Sequence, residues 1–494
     1  MKLFEPVTIN GMILDNRIVL PAIVTRLSRE DGYVNQAVRD RYYRYAMGEV
    51  GLMVIEAMAV HSAKSGPLLR INDACFIPGL RDLVNLIHDT GPSKVAPQII
   101  HFLKISRSGW RQKPEDLSKE EIKDIVELYR AAAGRAVEAG FDGVELHMAH
   151  AYTLSSFLSR LNNRNDEYGG QTLENRMRLM GEVIANVRRE IGEGMPLGAR
   201  FSAEECVKGG YTVEDSKQIA HRMARLGIDW ISLTAGGKFE DARKKEGEPL
   251  YPYTGYSGDR CMPPDSYPDG ANTYMAEAIK KCINEQSFTT AVVTTGKIRT
   301  AEQAEGILQS EIADLVGMAR ALLTDPLLPK KIQQGAEETV IRCIYGNVCK
   351  SLDENFKTVV CTLWPKGKIQ APMSLDKVPP SWPEGGAQLE VEEESTKVRL
   401  KWRPARDNEK VYGYEVFRRV NYGPWLHYTS VRGVTPYCVD TRVLCGNTYF
   451  YCVKAYDLAG NRSPASNHVN ISAPLAIPGI DREEHLGKQS DAMG

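Results

Sequence analysis

Short apolar runs alternate with amphipathic helical stretches from the N-terminus to about residue 340. The runs occupy 17–23, 51–57, 95–101, 143–148, 197–202, 230–234, 290–295 and 313–318, eight in all. Most are continuously apolar instead of alternating, the pattern of strands buried on both faces. The stretches between them repeat at helical spacing. In the clearest, Ser118 and Glu121 have the spacing of a capping box. Ile122, Ile125, Val126, Tyr129, Ala133, Ala136 and Val137 follow as an apolar stripe, and Gly140 stops the helix. Eight β/α units predict a (β/α)8 TIM barrel. An open doubly wound sheet is the alternative, and the lack of a Gly-x-Gly-x-x-Gly fingerprint disfavours it.

The helical period ends near residue 365. Pro372, Pro379, Pro380 and Pro383 with Gly367, Gly385 and Gly386 mark a linker over 366–386. Beyond it, 398–402, 412–417 and 448–455 alternate as strands do, with turn signals such as Gly460-Asn461 between them. A small all-β sandwich is therefore expected over 387–474, after a barrel over 1–365. Residues 475–494 read as a loose polar tail.

Composition narrows the partners. Sixty-two Lys and Arg against 63 Asp and Glu leave a formal charge of −1. That balance removes the electrostatic case for a nucleic acid or an acidic membrane surface. The start, Met1-Lys2-Leu3-Phe4-Glu5-Pro6, lacks the apolar core of a secretory signal, and no run of 18 apolar residues occurs. Ten cysteines in 494 residues are too sparse for a disulfide scaffold. A cytoplasmic location is expected. The β module reads as a packing or assembly element, so a homo-oligomer is expected as well.

In a barrel the chemistry sits at the C-terminal ends of the strands. Gln98 and His101 end the third run, His147 and His150 the fourth, with Tyr152 just beyond, and Arg200 lies in the fifth. Gly296 and Lys297 follow the seventh run, and Ala319 and Arg320 follow the eighth. Small residues there let backbone N–H groups approach an anion, and two cations stand beside them, so a phosphate-bearing ligand is expected. A structural ion pair is the plainer role for Arg320. His147 and His150 can together hold a carbonyl oxygen while Tyr152 passes a proton. Other readings are a metal, for which no third ligand is evident, and ordinary surface or core histidines.

These residues resemble the old yellow enzyme (NADH:flavin oxidoreductase) family, on its 2,4-dienoyl-CoA reductase and trimethylamine dehydrogenase side. The carrying segments include Leu3-Phe-Glu-Pro, Asn16-Arg-Ile-Val, Gln98-Ile-Ile-His101, Gly143-Val-Glu-Leu-His-Met-Ala-His150, Glu174-Asn-Arg-Met-Arg178 and Ala313-Asp-Leu-Val-Gly-Met-Ala-Arg320. The β module resembles a fibronectin type III domain through Trp402, Tyr414, Tyr449 and Tyr451. The resemblance implies FMN as cofactor and NAD(P)H, or a separate redox protein, as electron donor. It places Ala22, Ile23, Val24, Ala57, Gln98 and Arg200 around the flavin ring, and Gly296, Lys297, Ala319 and Arg320 on its phosphate. It makes His147 and His150 the groups that polarise a substrate carbonyl and Tyr152 the proton donor. The implied activity is ene-reduction of an enone or α,β-unsaturated acyl-CoA. FMN-dependent amine or C–H oxidation that passes electrons to a protein acceptor is the alternative.

The chain departs from that family in several places, among them Lys104, which stands where many relatives have Arg. Val24 is apolar where relatives carry Thr, Cys or His. Glu240 replaces a histidine and reads as a solvated loop acid, with a second proton carrier as the other reading. The loop 238–270, including Tyr251 and Cys261, is expected to lid the pocket. Cys343, Cys349 and Cys361 match an iron–sulfur motif whose remaining ligand position is held by Gly346. A cubane cluster takes four thiolates, so loss of the cluster is the favoured expectation, with a cluster held by three cysteines or by a foreign fourth ligand as the alternative.

Overall fold

The computed structural model describes residues 1–63, 66–104, 112–241, 258–373, 378–394, 397–408, 410–433, 435–444, 446–457 and 459–472. The expected tail 475–494, Cys445 and the 242–257 part of the expected lid lie outside the described residues. The chain divides into two compact units, Met1–Ala371 and Pro372–Gly494.

The first unit opens with an antiparallel hairpin, β1 (Val7–Ile9) and β2 (Met12–Leu14), too short to register in the apolar pattern. Ile9, Met12 and Leu14 pack with Val19, Leu52, Val54, Trp230 and Val293 and plug one end of the barrel. The barrel strands are β3 (Ile18–Leu20), β4 (Leu52–Ala59), β6 (Lys94–Ile100), β7 (Val144–Met148), β8 (Leu197–Ser202), β9 (Trp230–Thr234), β10 (Ala291–Thr295) and β11 (Leu315–Gly317). A two-residue strand, β5 (Leu69–Arg70), extends β4. All barrel pairings are parallel, and β3 closes the ring by pairing with both β11 and β4. The expected (β/α)8 barrel is thus present.

Two local details differ from the apolar pattern. The first strand stops at Leu20 because Pro21 has no N–H for the ladder, which frees Ala22, Ile23 and Val24 from the sheet. The helix Lys119–Glu138 has its capping box: Ser118 Oγ accepts the Glu121 N–H at 3.1 Å, and the Glu121 carboxylate accepts the Ser118 N–H at 2.8 Å. Its buried stripe runs through Ala132 and Ala136, however, leaving Val137 43% exposed at the edge.

The expected linker is shorter than its proline content suggests. Residues 366–371 belong to the first unit, where Ala371 is buried. The reason lies in two buried arginines of the helix Gln36–Met47. Arg41 donates to the carbonyls of Val359 (3.0 Å) and Ile369 (2.7 Å), and Arg44 to that of Ala371 (3.0 Å). Buried guanidiniums need acceptors, and this backbone segment supplies them.

The second unit is all-β. β12 (Glu390–Glu394), β13 (Lys397–Lys401) and β16 (Tyr437–Asp440) form one sheet; β15 (Leu426–Arg432), β14 (Val411–Val420), β17 (Thr448–Asp457) and β18 (Val469–Ser472) form the other, in those spatial orders. The sheets share a core of Val398, Leu400, Trp402, Tyr414, Val416, Tyr451 and Val453. The described cysteines are all free thiols.

Candidate active site

At the C-terminal ends of the barrel strands lies a cavity of about 1180 Å³, counting the part that merges with solvent. Ala22, Ile23, Val24, Ala57, Gln98, His147, His150, Tyr152, Arg200, Gly296, Lys297, Ala319 and Arg320 all line it. These residues, expected to hold the cofactor and do the chemistry, therefore share one space. His101 does not join them. Its Nδ1 lies 2.8 Å from Thr153 Oγ1, and it holds the loop behind Tyr152.

A buried polar layer supports this wall. Glu145 accepts from Gln98 Nε2 at 2.7 Å and from Trp230 Nε1 at 3.1 Å. Burial pushes the Glu145 carboxyl up, and Arg200 pulls it back. Arg200 donates to Ser232 Oγ (2.8 Å) and Thr295 Oγ1 (3.4 Å), which fixes a buried cation against the cavity.

His147, His150 and Tyr152 owe their placement to a strained turn. His150 (φ 60°) and Ala151 (φ 58°) are both left-handed, a conformation that costs energy in non-glycine residues. Two contacts hold it: the His150 N–H donates to Ser202 Oγ at 3.2 Å, and His150 pairs in parallel with Gly237. Hydrogen bonding also orders the imidazole protons. His147 Nδ1 accepts the Ala149 N–H at 3.3 Å, so its proton sits on Nε2, 3.3 Å from His150 Nδ1. His150 Nε2 then faces Thr234 Oγ1 at 3.0 Å and Cys261 Sγ at 3.1 Å. Burial, aided by the Arg200 charge, pushes His147 down to about 3. Burial and the neighbouring His147 hold His150 well below the ordinary range. Both rings are neutral hydrogen-bonding groups at neutral pH. The Tyr152 ring stands edge-on to His147, with centroids 4.9 Å apart.

The residues expected at the cofactor phosphate leave an open edge flanked by two cations, which suits a phosphate group. Gly296 has φ 121°, and a Cβ there would lie 2.8 Å from the Asn272 amide. A Cβ on Gly317 would lie 2.6 Å from Thr295 and 2.8 Å from Pro21. Only glycine leaves this edge open to an anion. The cations beside it are also bound by protein groups. Lys297 Nζ donates to the carbonyls of Asp265 (2.6 Å) and Tyr267, and lies 3.3 Å from the Asp269 carboxylate. Arg320 makes no ion pair among the described residues. Its Nη1 donates to Pro263 O (2.8 Å) and Asn347 Oδ1 (2.5 Å), and its guanidinium stacks 4.5 Å from the Tyr345 centroid.

Glu240 corrects the sequence expectation. It is 1% exposed, not solvated. Its carboxylate accepts the N–H groups of Gly237 (3.2 Å), Arg260 (2.9 Å) and Asp259. It pins the returning end of the long loop, which presents Cys261 and Met262 to the cavity. Sequence reasoning also missed Tyr345, Lys350, Asp353 and Val359 on the cavity wall. They come from the segment after the barrel, where no pattern marks a direction toward the site.

Cys343, Cys349 and Cys361 line a second, smaller space of about 330 Å³, together with Gly346. A Cβ at Gly346 would meet only Ile344, at 3.9 Å. The donor set is three thiols, and no group of three ligand side chains able to hold a metal ion occurs among the described residues. These residues do not match a four-thiolate cluster.

A closed parallel barrel with charged, imidazole and phenol groups at its strand C-termini has the architecture of a barrel enzyme. The sequence profile of the NADH:flavin oxidoreductase / NADH oxidase family matches residues 2–107, 104–254 and 262–339, and the chain belongs to that family. It is 34% identical over 368 residues to an NADH oxidase of Thermoanaerobacter brockii, covering 70% of this chain and 53% of that protein. It is 35% identical over 345 residues to an NADPH dehydrogenase of Geobacillus sp. (strain WCH70), covering 66% of this chain and 92% of that protein. The chain thus spans about half the length of the first relative and nearly all of the second. Its fold is like that of 2-naphthoyl-CoA reductase in complex with 2-naphthoyl-CoA, with a TM-score of 0.64 at 22% identity over 74% of this chain and 57% of that one. No helix among the described residues is long and apolar enough to cross a membrane.

Proposed function

We propose that the barrel is an FMN-dependent ene-reductase that reduces an activated C=C, in an enone or an α,β-unsaturated acyl-CoA, with electrons from NAD(P)H. One observation carries this reading: two neutral imidazoles, a phenol and a buried guanidinium converge on a single cavity. Ala22, Ile23, Val24, Ala57, Gln98 and Arg200 would hold the flavin ring, and Gly296, Lys297, Ala319 and Arg320 its phosphate. When bound, FMN supplies the hydride that adds to the substrate Cβ.

The protein's own groups do the rest. His147 and His150 would orient the substrate carbonyl and stabilise the charge that gathers on its oxygen, their Nε2–H groups exchanging His150 Nδ1, Thr234 and Cys261 for that oxygen when substrate binds; neutral imidazoles do this without surrendering a proton. Tyr152 delivers a proton to Cα. Val24, Ile100, Phe102 and Tyr152 form an apolar rim with Ala57 and Leu68, which suits a flat unsaturated substrate and excludes water. Imidazole N–H donors match an anionic oxygen better than an ammonium, which disfavours amine oxidation.

The test is anaerobic turnover with NADH and NADPH against a panel of enones and enoyl-CoAs. Purified protein is expected to be yellow and to release FMN on denaturation; colourless protein unable to take up FMN sinks the reading. Tyr152→Phe is expected to slow enone reduction by about 10²-fold, within the range for a lost general acid, while sparing NAD(P)H oxidation. Equal loss of both would remove Tyr152 from proton delivery.

A further inference from the structure

We infer that Lys238 is a positioning residue for proton transfer, an ammonium set against the face formed by Tyr152, His147 and His150; this rests on the ene-reductase reading of that face. Lys238 is only 5% exposed, and its Nζ lies 4.5 Å from the centroid of the Tyr152 ring. Nothing in the sequence marks it, since a lysine in a Gly-Gly-Lys loop reads as a solvated surface group.

The backbone explains how it gets there. Gly237, immediately before it, pairs with His150 and has φ 146°. A Cβ on Gly237 would lie 2.6 Å from His150 Cα, so only glycine lets the chain pass this close. The next side chain is delivered over the Tyr152 ring, which itself stands edge-on to His147. The buried Glu240 carboxylate accepts the Gly237 N–H and holds that crossing in place.

The chemistry explains why a cation belongs there. The proposed step breaks the Tyr152 O–H bond and forms the Cα–H bond, and water later reprotonates the phenolate. It is a proton transfer with no change of oxidation state. It leaves negative charge on the phenol oxygen, after charge has gathered on the substrate oxygen. Neutral imidazoles donate hydrogen bonds but offset no charge. An ammonium in a poorly solvated site stabilises both anions while adding little to the neutral ground state, which is selective for the transition state. Its field also helps keep His147 and His150 unprotonated. Among the described residues, the other titratable groups around this face include Arg200 on β8, Cys261 and Glu240 on the long loop, and His101 and His61, which burial pushes down to about 3 and 4.

The test uses the FMN-loaded enzyme with p-nitrophenol as the probe, because its colour reports ionisation in the site. Wild type is expected to bind the phenolate in preference to the phenol. Lys238→Met is expected to raise the apparent pKa of the bound probe by at least one pH unit, a tenfold change in the ionisation equilibrium. Enone reduction should slow at least tenfold, with reduction of the flavin by NAD(P)H unchanged and flavin content retained. Lys238→Arg should restore most of both. Lys238→Gln serves in place of the Met variant if that variant does not fold. A wild-type site without preference for the phenolate overturns the inference, as does an unchanged probe pKa in a folded Met or Gln variant. Wild type that reduces no enone would remove the ene-reductase reading instead, while the probe titration still reports on Lys238.

Discussion

Glu56 lies on β4 immediately before Ala57, and it is 0% exposed. Its two carboxylate oxygens accept the Thr25 N–H and the Thr25 Oγ–H, each at 2.7 Å. Thr25 follows Val24, so this carboxylate anchors the irregular segment that lines the cavity. Burial pushes its pKa from 4.5 to about 7, against the pull of those hydrogen bonds and of Arg41 and Arg26. A carboxyl raised in the fold favours the folded state while it is protonated. That advantage is complete below pH 4.5 and is lost as pH rises through about 7. Linkage at about 1.36 kcal/mol per pH unit makes the loss between pH 5 and pH 8 about 2.5 kcal/mol. Glu56→Gln has nearly the same shape and no charge to bury. Relative to wild type, the variant is expected to gain about 2.5 kcal/mol of stability from pH 5 to pH 8, whatever constant offset the amide introduces. Equilibrium urea unfolding at several pH values, followed by tryptophan fluorescence, measures this. Parallel stability curves for the two proteins would refute the reasoning, because they would mean that Glu56 carries no shifted titration.

Two further perturbations test the site. Gly296→Ala forces a side chain into a φ of 121° and against Asn272, so it is expected to lower flavin retention by at least tenfold, read by fluorescence of released FMN. Glu240→Ala leaves the N–H groups of Gly237, Asp259 and Arg260 without their carboxylate acceptor, so the loop bearing Cys261 is expected to loosen. The Cys261 thiol should then react faster with a thiol reagent than in wild type, and an unchanged rate would show that another contact holds the loop.

Much of the barrel was legible because burial on both faces writes continuous apolar runs into the chain, and helices between them keep their own period. The candidate site was legible for a related reason. In a barrel the residue that ends a strand is placed by the strand itself, so Gln98, His147, Arg200 and Arg320 could be selected from position alone. Strand ends were less clear. Pro21 cut the first strand short, and the β1–β2 hairpin was too brief to leave a pattern.

By itself the sequence determined the order of strands and helices, the all-β character of the second unit, and which residue types stand at the barrel mouth. These follow from local periodicity and backbone geometry. Tertiary structure alone decided what those residues touch. The burial of Glu240, the imidazole order set by Ala149, Thr234 and Cys261, the capture of Lys297 by the carbonyls of Asp265 and Tyr267 and the Asp269 carboxylate, and the approach of Lys238 to Tyr152 all join segments distant in sequence or folded back at a glycine. Such contacts depend on how close two backbones can pass and on which buried polar group must find a partner, and neither quantity is written in the spacing of a single chain segment.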